Sequence, residues 1–165
     1  MPRQAHFHSP WSAAAASLLL AFSLCLATPL HAQTPSASAP SQLSAEQVLT
    51  NKKALGQTAA AGWLLLLDAG DWGGSWERAS PSFRSLVPLP QWMDGVPQLR
   101  KPFGRFVARS FVESNHKTSL PGRPPGDYVS SRFSTDFSDK KGVNEVVTTM
   151  LDPDGRWRVI GYFAQ

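Results

Sequence analysis

Residues 143–164 read VNEVVTTMLDPDGRWRVIGYFA, and this stretch decides the fold. Two runs rich in Val, Thr, Tyr and Phe, Val143–Leu151 and Arg156–Ala164, have the composition of β-strands. Between them, Asp152-Pro153-Asp154-Gly155 places Asp, Pro and Gly at the first, second and fourth turn positions. That is a type I signature, so the two strands are expected to form an antiparallel hairpin. In the last strand, Trp157, Val159, Gly161 and Phe163 alternate onto one face.

Reading outward, Asp127–Phe137 is a third strand, with Val129, Phe133 and Phe137 on one face and the short Ser138–Gly142 link to the hairpin. Arg105–Ser114 is a fourth, joined through the Pro- and Gly-rich Leu120–Gly126. Upstream the period changes. Ser44-x-x-Gln47 is a capping-box pattern that starts a helix. Val48, Leu55, Ala59, Gly62 and Leu66 follow at helical spacing, with Trp63 and Leu67 widening the stripe. Gly56 and Gly62 each cost about 1 kcal/mol against Ala, so packing must hold this helix. Gly70 is its expected stop. Asp71 caps a short second helix carrying Trp72 and Trp76, and a third around Leu89–Met93 presents Trp92 and ends before Pro97.

Helices followed by a run of strands give an α+β class, with N-terminal helices covering a curved, four-stranded antiparallel sheet. A long helix across such a sheet makes a cone, either open to a ligand or filled by side chains.

The first residues read as an address. Arg3 precedes the apolar run Ala13–Ala27, the length of a secretory leader core and short for a membrane span. Pro29 and Ala32 mark a cleavage region, placing the leader at 1–32. Leu24 is too large for the position before a lipid-bearing Cys, so Cys25 is expected to leave with the leader. A Ser/Pro/Ala tether over 33–43 then leads to one α+β domain over 44–165. The protein is expected to be periplasmic or secreted.

Composition narrows the chemistry. The chain has 165 residues, one Cys and a net charge of +4. This excludes a disulfide framework and a Cys-based zinc site. The basic residues are scattered, without the dense stripe that nucleic acid requires. His116 is the only His beyond the leader, which leaves little for a metal site or a catalytic triad. Asp152-x-Asp154-Gly155 lacks the later ligands of a calcium loop and is explained by the turn. No metal or cofactor is expected.

Several pieces together resemble the bacterial domain-of-unknown-function family number 4019. They are Asp68-Ala-Gly70-Asp71-Trp72, Ser75-Trp76, Arg100-Lys-Pro102-Phe-Gly104, Arg109, Ser119-Leu-Pro-Gly122, Gly126-Asp-Tyr128-Val129 and Met150 through Tyr162. The resemblance runs from about Ala60 to the C-terminus. It implies a small exported bacterial domain similar in fold to the nuclear-transport-factor-2-like cone. That fold hosts isomerases, dehydratases and binding modules alike, so it does not give a reaction.

One pair of residues could carry acid–base chemistry. Glu145 alternates with Val143, Val147 and Leu151, and Arg109 alternates with Val107 and Phe111. A carboxylate on an apolar face is a general-base candidate if unpaired and a structural ion pair if a cation faces it. Trp63, Trp76, Trp92, Tyr128 and Trp157 could line an apolar pocket, or pack the core. The expectation is a non-catalytic periplasmic module that binds a small apolar ligand or an envelope protein. The alternative is a small cone-fold isomerase or lyase with Glu145 as base. A purely structural envelope role and a homodimer stay open.

Overall fold

The computed structural model describes residues 43–165. The expected leader, the cleavage region and the tether up to residue 42 lie outside the described residues.

The first helix, α1 (Ala45–Asp68), starts at the expected capping box. Ser44 Oγ accepts from Gln47 N–H at 3.2 Å, and Gln47 Oε1 accepts from Ser44 N–H at 2.8 Å. Its buried line is Gly56, Ala60, Trp63, Leu64 and Leu67, rotated from the expected stripe. Leu55 is 57% exposed and Gly62 is also on the outside. The reason is steric: the helix lies so close to the sheet that small residues occupy the crossing. A Cβ on Gly56 would stand 2.5 Å from Val129 Cβ and 2.9 Å from Thr149 Oγ1. The Gly56 carbonyl also accepts from Thr149 Oγ1 at 3.3 Å.

Three shorter helices follow. In α2 (Trp72–Glu77) Asp71 caps through a 2.9 Å bond from Gly74 N–H. The next, α3 (Pro81–Leu86), is an addition to the sequence reading, although Ser80-Pro81 carries the cap-then-proline signature of a helix start. The last, α4 (Leu89–Arg100), is longer than expected and runs through Pro97. Pro97 removes one intrahelical donor. The added turn ends at Arg100, whose buried ion pair with Asp68 offsets that loss. A single 3₁₀ turn, Lys101–Phe103, leads into the sheet.

The strands are β1 (Phe106–Lys117), β2 (Tyr128–Phe137), β3 (Val143–Leu151) and β4 (Trp157–Ala164). They form an antiparallel meander in the order β1-β2-β3-β4. Class and meander are as expected. The sheet stays open, with β1 and β4 at its edges. The Asp152–Gly155 turn closes with Gly155 N–H donating to Asp152 O at 2.9 Å, and Gly155 has φ 78°.

One departure in β4 matters for everything below. The register shifts between Thr148 and Thr149, so that Thr148 faces Gly161 and Thr149 faces Val159, with Ile160 between. This bulge reverses the alternation. Trp157 and Val159 share the face toward the helices, but the expected continuation of that face through Gly161 and Phe163 fails: beyond the bulge Tyr162 and Ala164 take it, and Phe163 turns outward, 51% exposed. The main core gathers Ala60, Leu64 and Leu67 of α1, Phe133 of β2, Val147 of β3 and Val159 of β4.

The two helix glycines give opposite predictions. Gly56→Ala forces a methyl into Val129 and is expected to destabilise by about 1–3 kcal/mol. Nothing lies within 4 Å of a Cβ at Gly62, so Gly62→Ala is expected to stabilise by up to about 1 kcal/mol. Urea unfolding of both variants checks the pair.

Candidate functional site

Asp68 is the last residue of α1, where the helix dipole is negative and a carboxylate is disfavoured unless a cation meets it. Two do. Arg100 Nη2 donates to Asp68 Oδ1 at 2.7 Å, and Arg109 Nη1 donates to Oδ2 at 2.6 Å. Arg100 stands at the C-terminal end of α4, where a cation is favoured. Arg109 comes from β1, otherwise largely exposed, and turns its guanidinium inward.

Arg109 also reaches the centre of the sheet. Its Nη2 donates to Glu145 Oε2 at 2.7 Å and its Nε to the same oxygen at 3.0 Å. Thr135 Oγ1 donates to Oε2 at 2.5 Å, and Tyr162 Oη to Oε1 at 2.6 Å. Arg100 Nη1 stands 3.7 Å from Oε1. Glu145 has no solvent exposure, and the side chains of Asp68, Arg100 and Arg109 are at most 9% exposed. Two carboxylates and two guanidiniums thus share one buried cluster with balanced charge. Burial lowers the Arg109 pKa, but its bonds to Asp68 and the charges of Glu145 and Asp68 outweigh this and leave it raised. Burial first, then the Glu145 charge, pushes the Tyr162 phenol far above its ordinary value, which keeps it a donor.

This geometry answers the question left by the strand alternation. A general base at Glu145 required a cavity and no cation within reach. Glu145 is instead fully enclosed, with Arg109 in direct contact. The arrangement is that of a structural ion pair.

Two members of the cluster border a cleft of about 750 Å³ between the C-terminal ends of α1 and α4 and the start of β1. Asp68 and Arg100 belong to its lining, with apolar surface from Trp72, Pro97, Phe106 and Val107. Lys101 and Arg105 stand at its rim. The volume is within the range of about 300–1,000 Å³ typical of small-molecule sites.

The aromatic candidates have other places. Trp63 is buried and donates to Ser75 O at 2.7 Å. Trp92 lies tilted against Trp63, ring centroids 5.8 Å apart, and its ring N–H donates to Ser75 Oγ at 3.0 Å. Tyr128 is buried with its hydroxyl on Pro124 O. Trp76, half-buried, donates to Val87 O at 2.7 Å. Trp157 borders a smaller groove beside Trp63 and Leu66. The large cleft is bordered by Trp72 instead. Asp68 and Arg100 were not singled out by spacing. The signal for Asp68 was an acid at a helix C-terminus, a placement that demands a cation.

A second polar group ties α1 to the sheet. Lys52 Nζ donates to Asp127 at 2.7 Å, and His116 Nε2 lies 2.6 Å from the same carboxylate. Lys52 above all, with His116, holds the Asp127 carboxyl below the usual carboxylate range. Arg158 does the same for exposed Asp154, down to about 2. Among the described residues, no group of three or more His, Cys, Asp or Glu is placed to hold a metal ion.

Breaking the buried cluster on one side is expected to cost about 3–5 kcal/mol, for Glu145→Gln or Arg109→Met alone. The double variant leaves Asp68 paired with Arg100, so it is expected to lose clearly less than the sum. A double-mutant cycle by chemical denaturation measures this. The depressed Asp127 contributes stability above the ordinary carboxylate range and loses it as pH falls through its folded value. The stability gap between the native chain and Asp127→Asn is therefore expected to shrink from pH 6 toward pH 2, read by thermal melts.

No curated protein and no solved structure matches the chain. Residues 59–162 match the family described as protein of unknown function (DUF4019). That span holds α1 from its middle onward, the ends of α1 and α4 and the start of β1 that border the cleft, and every residue of the buried cluster. The chain belongs to the DUF4019 family.

Proposed function

We propose that this protein is an exported, non-catalytic binding module that holds a small ligand in the cleft beside Asp68 and Arg100. The observation that carries this reading is the cleft itself, about 750 Å³, bordered by Asp68 and Arg100 of the charge-balanced, buried ion cluster. Such a cluster is rigid, because each member is held by partners on other elements. Its acids are occupied by arginines and hydroxyls, which suits positioning a ligand better than moving a proton. The leader-like run Ala13–Ala27 and the small residue at Ala32 support export to the periplasm or beyond. The family resemblance to exported bacterial domains points the same way.

Native mass spectrometry on the full chain, expressed with its leader and recovered from the periplasm, tests both halves. A mass beginning at Gln33 that carries additional bound mass is the expected result. The mass of the whole uncleaved chain would remove export, and a bare cleaved chain after gentle recovery would count against binding.

A further inference from the structure

We infer that the ligand of this cleft is an organic anion with an apolar body, a carboxylate-bearing amphiphile, bound headgroup toward Lys101 and Arg105. This deepens the binding reading and rests on it. The first ground is charge. Asp68 and Glu145 are already matched by Arg100 and Arg109, so the buried cluster behind the cleft is neutral in sum. Lys101 and Arg105 therefore add positive charge that the cluster does not cancel. Neither has an acidic partner within 4 Å among the described residues. The nearby acid Asp139 accepts from Ser138 Oγ at 2.9 Å, and that hydroxyl also holds Arg105 N–H at 2.9 Å. Asp71, between the lining residues Gly70 and Trp72, accepts from Gly74 N–H at 2.9 Å, so Lys101 and Arg105 are both left without an ion-pair partner.

The second ground is a buried polar atom with no hydrogen-bond partner. Arg100, whose side chain is 6% exposed, places Nη2 on Asp68, while its Nη1 makes no hydrogen bond. Glu145 Oε1 stands 3.7 Å from it, beyond hydrogen-bond reach. The cluster is thus one acceptor short, and an anion bound beside Arg100, which lines the cleft, adds negative potential to it.

The third ground is the apolar surface. Phe106 and Val107 are 38% and 55% exposed, although both belong to a strand, and both border the cleft with Trp72 and Pro97. Exposed apolar walls next to uncompensated cations match a molecule that is apolar along its length and anionic at one end. Neither a sugar nor a bare inorganic anion would use both features.

The test is a calorimetric titration of the purified mature chain with dodecanoate, kept below its micelle-forming concentration. Dodecanol and acetate serve as neutral and short controls. Saturable one-to-one binding of dodecanoate is expected, at least about tenfold tighter than dodecanol and absent for acetate. Lys101→Glu with Arg105→Glu, both at the rim, is expected to weaken dodecanoate by at least about tenfold and leave dodecanol unchanged. Val107→Asp is expected to weaken both. Thermal melts of the variants confirm that they fold. Dodecanol binding as tightly as dodecanoate, or a rim variant with unchanged dodecanoate affinity, would overturn the anion assignment while the cleft stays a binding site. Acetate binding as well as dodecanoate would overturn the apolar half. Absence of binding by all three, together with a bare chain in the native mass spectrum, would sink the assignment and the binding reading together.

Discussion

A carboxylate without solvent access, Glu145, stands in the middle of the sheet, and the surrounding structure is arranged around its charge. A buried ion is tolerated only if its lost hydration is replaced by pairing and hydrogen bonds. Here the replacement comes from four other elements. Thr135 belongs to β2, Tyr162 to β4, Arg109 to β1 and Arg100 to α4. Asp68 at the end of α1 then balances the two arginines. Desolvation offsets much of the Coulomb attraction in such a group, so its main effect is on arrangement. Any register of β1 or placement of α4 that withdrew an arginine would strand a charge in the interior.

The close crossing of α1 over the sheet is what brings Asp68 to that cluster. At Gly56 the helix backbone touches Val129 and Thr149, which sets its height above the strands. Asp68 follows twelve residues later, about 18 Å along a helix. A bulkier residue at the crossing would lift the helix and pull its C-terminal carboxylate away from Arg109. The glycine and the buried charge are thus two ends of one constraint.

The cleft takes its character from the same geometry. It opens where α1 and α4 both end and β1 begins, so their terminal residues become its lining. Helix ends bring polar groups and the sheet edge brings Phe106 and Val107. The mixture of a neutral, rigid cluster behind the cleft with an apolar side and a basic rim follows from the convergence of these three ends. It also explains why the aromatic side chains that stood out in the sequence are elsewhere. Trp63 and Trp92 fill the layer between helices and sheet and satisfy their ring nitrogens on Ser75.

The sequence by itself determined the class, the order of elements and the turns, because these rest on local chemistry. The Ser44–Gln47 box starts a helix wherever it lies, and Asp152-Pro153-Asp154-Gly155 turns the chain whatever surrounds it. It also named Glu145 and Arg109 as one pair to be decided between pairing and catalysis. Three things waited for the tertiary structure. The buried face of α1 was set by closeness to the sheet, which selects Gly56 and Ala60 over the larger apolar residues that periodicity favours. The continuation of α4 past Pro97 was set by a long-range ion pair that offsets a local loss. The inward turn of Tyr162 was set by the bulge at Ile160, an extra residue that reverses strand parity and has no mark in the alternation itself. Each depends on a partner distant along the chain, and local spacing carries no information about such partners.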